Sequence, residues 1–101
     1  MRALFALLIT SVFAISCSNN SPSNGKAYSG EELYNNRCAA CHGTDGNAGI
    51  SGARDLSKST LDDNMARVVI LHGKGSMPPF KTVLSPEEVE LIIKHIDKLK
   101  K

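Results

Sequence analysis

Five consecutive residues, Cys38-Ala39-Ala40-Cys41-His42, constrain most strongly what this chain can fold into. Two cysteines three positions apart lie on the same face of a helix, so both thiols can reach one edge of a flat molecule. The pattern C-x-x-C-H is the attachment site of c-type haem. The thiols add to the two vinyl groups, and the histidine that follows binds the iron. The motif therefore predicts one haem attached covalently to Cys38 and Cys41, with His42 as an axial ligand.

The start of the chain has the features of a removable export signal. Arg2 is positive, and residues 3–15 are almost wholly apolar, a run too short to span a bilayer as a permanent helix. We expect a signal peptide over residues 1–16. Small residues before Cys17 resemble the lipobox of bacterial lipoproteins, which predicts a lipid on Cys17. The alternative is an ordinary signal peptide, which would leave Cys17 as an unpaired exported thiol.

Residues 17–27 are rich in Ser and Asn, lack an apolar period and read as a flexible tether. The domain then spans residues 28–101. We expect it outside the cytoplasm, on the periplasmic side or outer face of a bacterial membrane, held there by the lipid. The formal net charge of +2 gives no indication of a nucleic-acid-binding face. We expect a monomer.

Helical signals dominate the domain, and we find no convincing strand. Two helices should begin at capping pairs, Ser29 with Glu32 and Thr60 with Asp63, and each should end at a glycine. These glycines are Gly43 and Gly73. The sequence predicts an all-α domain of about three to four helices with long loops.

The last helix has the clearest pattern. Ser85 caps it, Pro86 occupies its first position and Glu88 completes a capping box. Its apolar stripe consists of Val89, Ile92, Ile93, Ile96 and Leu99. A domain this small, without tryptophan, has difficulty burying enough apolar surface, and a covalently held haem would supply the missing core.

Met77 is the best candidate for the second axial ligand of the iron. Pro78 restricts the backbone of Met77 to extended conformations, which can direct the sulfur out of the loop. A thioether favours ferrous iron and raises the reduction potential. The alternatives are Met65, whose helical spacing favours a place in the core, and His72 and His95, which would lower the potential.

With C-x-x-C-H and a downstream Gly-x-Gly-x-Met-Pro-Pro-Phe, the chain resembles the class I, single-haem cytochromes c, above all the short bacterial and algal kind. The resemblance runs from about residue 28 to 99 and includes Gly30, Tyr34 and the opening of the last helix at residues 84–89. In that family the first and last helices cross. The resemblance therefore implies that Gly30 contacts the last helix near Ile92 or His95.

The chain departs from the family pattern at three places. His95 stands where the family usually has an aromatic residue. Many members have a proline whose carbonyl accepts the proton of the proximal histidine, and here Ala53 stands in its place, so the identity of that carbonyl is open. The family often binds a haem propionate through a basic residue or an indole, a role for which Arg54 and Lys58 are the candidates.

The resemblance implies a one-electron carrier rather than an enzyme, working between a respiratory complex and an oxidase or other acceptor. The partner would meet the haem edge and an apolar contact of Pro78 and Phe80, ringed by Lys74 and Lys81. A haem-based peroxidase or gas sensor with an open sixth position is the alternative. A thiol–disulfide pair or a zinc site is a third possibility, although the sequence shows neither a βαβ unit nor a second cysteine pair.

Overall fold

The computed structural model describes residues 27–101, so the predicted signal peptide, Cys17 and nearly all of the predicted tether lie outside the described residues. Its four helices are α1 (Gly30–Arg37), α2 (Ala39–His42), α3 (Asp63–His72) and α4 (Pro86–Leu99), with 3₁₀ turns at Ile50–Gly52 and Leu56–Lys58 between α2 and α3. Within residues 27–101 there is no strand, only an isolated bridge between Lys74 and Met77. The all-α prediction is confirmed.

Capping boxes begin the first and last helices as predicted. The Ser29 hydroxyl accepts from the Glu32 N–H at 3.1 Å, and the Glu32 carboxylate accepts from the Ser29 N–H at 2.9 Å. Ser85 and Glu88 make the same reciprocal pair at 3.2 and 2.9 Å, ahead of Pro86 in α4. Each box satisfies two backbone groups that the helix itself leaves unpaired.

Two helix boundaries differ from the prediction. The single helix expected from Ser29 to Gly43 is interrupted at Cys38, which has φ −116° and ψ −34° and separates α1 from α2. The N-cap of α3 is Asp62 rather than Thr60, since the Asp62 carboxylate accepts from the Met65 N–H at 2.8 Å. Both residue types are good N-caps, and in the structure Asp62 is the one that makes the capping hydrogen bond.

The core lies where α1 crosses α4, with α3 packed alongside. Its buried residues are Leu33, Tyr34, Cys38, Ile70, Leu84, Val89, Ile92 and Ile93. A Cβ on Gly30 would fall well inside van der Waals contact with the Leu91 carbonyl oxygen, 2.8 Å from the Leu91 carbonyl carbon and 3.4 Å from the Cβ of His95. The predicted crossing, close to Ile92 and His95, is therefore confirmed.

An ion pair joins α3 to α4. The Arg67 Nε donates to the Glu90 carboxylate at 2.5 Å, and this hydrogen bond holds the pKa of Glu90 below its usual range. Both side chains are partly exposed, so the pair contributes little to stability. Among the described residues, none of the helices has the length and apolar character needed to cross a bilayer.

Gly30→Ala should destabilise the protein, because the added methyl group must displace the α4 backbone at Leu91. We expect a loss of about 1–3 kcal/mol in the free energy of unfolding, measured by denaturant titration of the haem-loaded protein. Asn35→Ala, on the exposed side of α1, is the matched control and should change stability by no more than about 0.5 kcal/mol. Equal stability of the two variants would contradict the close crossing.

Candidate haem site

The buried core fixes the turn that carries the C-x-x-C-H motif. Tyr34 is fully buried in α1, and its hydroxyl donates to the carbonyl of Gly43, just after α2, at 2.6 Å. The backbone is continuous across the break, since the Cys38 N–H donates to the Tyr34 carbonyl at 2.7 Å and the His42 N–H donates to the Cys38 carbonyl at 3.0 Å. The helix crossing thus holds both ends of the motif.

His42 is oriented by a backbone carbonyl. Its Nδ1 lies 3.0 Å from the carbonyl oxygen of Arg54. A carbonyl can only accept a hydrogen bond, so Nδ1 carries the proton and Nε2 keeps its lone pair for a metal. The sequence left the identity of this carbonyl open, and in the structure it belongs to Arg54, the residue after Ala53, whose own side chain is exposed.

The two cysteines are free thiols in different surroundings. Cys38 is buried, and that burial raises the pKa of its thiol to about 11, whereas Cys41 is exposed. Reactive cysteines have a lowered pKa, so Cys38 does not fit a thiol–disulfide catalyst. Residues 27–101 also contain no cluster of three or more His, Cys, Asp or Glu side chains able to hold a metal ion.

Met77 lies in a tight turn that follows α3. The N–H groups of Lys74 and Met77 each donate to the carbonyl of the other, at 3.1 and 3.0 Å. Gly73 has φ +73°, and a Cβ there would lie 2.5 Å from the Met77 carbonyl oxygen, so only glycine fits. The Phe80 N–H then donates to the Ile70 carbonyl at 3.0 Å, which ties the segment to the end of α3. Met77 is partly buried against the core.

One contact joins the Met77 segment to the segment that supports His42. The hydroxyl of Ser76 donates to the carbonyl of Ser51 at 3.1 Å, across 25 residues of sequence. Ser51 precedes Arg54, the partner of His42, by three residues. The fold therefore brings the two predicted axial-ligand segments together at one place, and the sequence alone gave no indication of this contact.

The other candidate ligands occupy different surroundings. Met65 is 49% exposed on α3, so the expectation that it belongs to the core was wrong. His72 is exposed at the end of α3. His95 lies at the α1–α4 crossing, where the centroid of its ring is 5.0 Å from the centroid of the Tyr34 ring and the two ring planes are inclined by 49°. Arg54 and Lys58, the propionate candidates, are both exposed.

The described residues fit a covalent haem. The turn offers two thiols and an imidazole nitrogen whose tautomer leaves it free to bind a metal. The core is small, and several large apolar side chains are at least 38% exposed. They are Tyr28, Ile50, Leu61, Met65, Val68, Val83 and Leu91. A core of this size is the kind that an attached apolar group completes.

Comparisons with known proteins agree with this chemistry. The family model described as cytochrome c oxidase, cbb3-type, subunit III matches residues 25–96. A cytochrome c6 from Leptolyngbya boryana is 35% identical over 82 residues, which cover 74% of this chain and 95% of the relative.

Two solved structures share the fold. The KustC0563 c-type cytochrome superposes with a TM-score of 0.65 at 32% identity, covering 73% of this chain and 100% of its own. Cytochrome c6C from Synechococcus sp. PCC 7002 superposes with a TM-score of 0.59 and covers 68% of this chain and 90% of its own. Because the sequence identity to cytochrome c6C is only 23%, this superposition supports the fold alone.

Tyr34→Phe should lower stability at neutral pH by about 1–3 kcal/mol, because the partly buried Gly43 carbonyl loses its donor. Burial also raises the pKa of Tyr34 to about 12, above the value of about 10 expected in the unfolded chain. As the pH rises, the Tyr34 hydroxyl therefore stays protonated to a higher pH in the native state than in the unfolded chain. The excess free energy of unfolding of wild type over the variant is full below pH 10 and decreases between pH 10 and 12.

Denaturant unfolding of both proteins at several pH values measures this difference. Tyr28→Phe is the control, since Tyr28 is 55% exposed and should have no measurable effect. A stability difference between wild type and Tyr34→Phe that stays constant up to pH 12 would contradict the burial of the Tyr34 hydroxyl.

Proposed function

The chain belongs to the cytochrome c family, and we propose that it is a lipid-anchored carrier of single electrons in a bacterial respiratory chain. Proteins of this family hold haem c covalently and carry electrons rather than catalyse reactions. The observation that carries the proposal for this chain is the His42 imidazole, whose hydrogen bond to the Arg54 carbonyl prepares Nε2 as an axial ligand. Cys38, one helical turn before His42, and Cys41, directly before it, are the proposed attachment residues.

When bound, the haem supplies a metal that changes its charge by one unit. The residues around the haem would set the reduction potential of this change. The Arg54 carbonyl fixes the tautomer and the ring orientation of His42 through the shared hydrogen bond. Met77 is the proposed second ligand, supported by its fixed turn and by its hydrogen-bonded link to the His42 side of the site. A thioether in that position favours the reduced state and leaves no open site for oxygen or peroxide.

The proposed partner surface surrounds the Met77 segment. Pro78 is exposed and Phe80 is partly exposed, while Lys74 and Lys81 beside them are exposed cations. An apolar centre with a basic rim suits brief encounters with an acidic redox partner, because charge speeds association while the small apolar area limits residence. Electron transfer between a respiratory complex and an oxidase or other acceptor is the role that such a surface serves.

Like the cytochromes c6 that it resembles, the chain is an exported protein. The lipid anchor on Cys17 is our proposal, supported by the position of this cysteine directly after a small-residue cleavage site. A thiol that is exported without a partner needs an explanation, and acylation provides one. The anchor would keep the domain near membrane partners, with the Ser- and Asn-rich residues 17–27 as the proposed tether.

Met77→Ala should abolish the sulfur-to-iron charge-transfer band at the red end of the ferric spectrum and lower the reduction potential, because the thioether is lost. Met65→Ala is the matched control and should retain the band, since Met65 lies half-exposed on α3. The measurement is a visible spectrum of each oxidised protein and a redox titration. Persistence of the band in Met77→Ala would rule Met77 out as the ligand.

Cys17→Ser should release the protein from the membrane fraction of a bacterial host equipped for haem attachment, because no acyl chain can be added. Intact-mass measurement of the wild-type protein should show a lipid on its first residue. Ser18→Ala is the control and should remain membrane-bound. Wild-type protein found in the soluble fraction with an unmodified Cys17 would contradict the anchor.

A further inference from the structure

A chain of contacts connects the supports of the two proposed axial ligands. His42 donates to the Arg54 carbonyl, and Arg54 follows the 3₁₀ turn Ile50–Gly52 that contains Ser51. The Ser51 carbonyl accepts from the hydroxyl of Ser76, which directly precedes Met77. The segments on the two sides of the site are thus joined by one side-chain hydrogen bond.

The acceptor in this bond sits in an unusual backbone conformation. Ser51 has φ 55° and ψ 29°, and it is the only non-glycine residue in residues 27–101 with a positive φ. A left-handed conformation at a non-glycine residue costs energy and persists only where surrounding contacts maintain it. Two contacts of this turn are the Ala53 N–H to the Ile50 carbonyl, at 3.0 Å, and the hydrogen bond from Ser76.

We propose that Ser76 is a positioning residue that holds Met77 on the iron by tying its turn to the Ser51 carbonyl. The inference rests on the proposed ligation by Met77 and goes beyond it, since it names what keeps that ligand from exchanging. The turn around Met77 is otherwise fixed by short-range bonds to Lys74 and by the end of α3. Ser76 adds the contact that joins this turn to the His42 side.

Imidazole competition measures how firmly Met77 is held. Imidazole added to the oxidised, haem-loaded protein displaces the thioether and removes the sulfur-to-iron band, so the titration gives an apparent Kd for displacement. Ser76→Ala should lower this Kd roughly 2- to 10-fold, the effect of losing one net hydrogen bond. Ser76→Thr, which keeps the hydroxyl, should restore the wild-type value to within about 2-fold.

Ser51→Ala is the matched control. It removes a hydroxyl from the other side of the contact and leaves the carbonyl acceptor in place, so its imidazole Kd should equal that of wild type. An equal fall in Kd for Ser51→Ala and Ser76→Ala would overturn the proposal, because the effect would then come from general loosening. An imidazole Kd for Ser76→Thr that is as low as that of Ser76→Ala would overturn it as well, because the hydroxyl would then play no part.

The two proposals fail in different ways. A wild-type protein without the sulfur-to-iron band would overturn the ligation by Met77, and the role of Ser76 with it. A wild-type protein that shows the band, together with a Ser76→Ala variant that binds imidazole like wild type, would overturn the role of Ser76 alone.

Discussion

The close crossing of α1 and α4 at Gly30 is the constraint on which the site depends. Because Gly30 has no side chain, the α4 backbone at Leu91 can approach α1 directly. That approach buries Tyr34 completely between the helices, beside the ring of His95. The hydroxyl of Tyr34 then reaches the Gly43 carbonyl at the end of α2. A helix contact eight residues before the first cysteine of the motif thereby fixes the turn that carries the motif.

Local chemistry made part of this fold predictable from the sequence. A capping box needs two residues three positions apart, so Ser29 with Glu32 and Ser85 with Glu88 could be identified without tertiary information. The break at Cys38 could not, because the flanking hydrogen bonds continue in helical register and the two alanines that follow it favour a continuous helix. The sequence predicted Thr60 as the cap of α3, whereas the structure uses Asp62, because several residue types cap well and the sequence fixes a helix start only to within one or two residues.

The candidate site divides in the same way. Its cysteines and His42 lie within five consecutive residues, so the sequence pattern alone identifies their chemistry. The partner of His42 is a backbone carbonyl, and every residue has one, so no side-chain pattern could distinguish Arg54 from Ala53. The contact between Ser76 and Ser51 spans 25 residues and involves two exposed serines, which are unremarkable in any sequence. Its existence depends on how two loops are placed by the helices behind them.

The two halves of the proposed site are held by different kinds of interaction. The His42 half is anchored to the buried core through Tyr34, so releasing it requires disruption of the helix crossing. The Met77 half depends on a four-residue turn, the end of α3 and the bond from Ser76, all near the surface. Segments with few buried contacts open at lower free energy than the core. Any exchange of an axial ligand should therefore begin on the Met77 side. The free energy needed to open the Met77 segment then decides whether the proposed site stays closed or admits an external ligand.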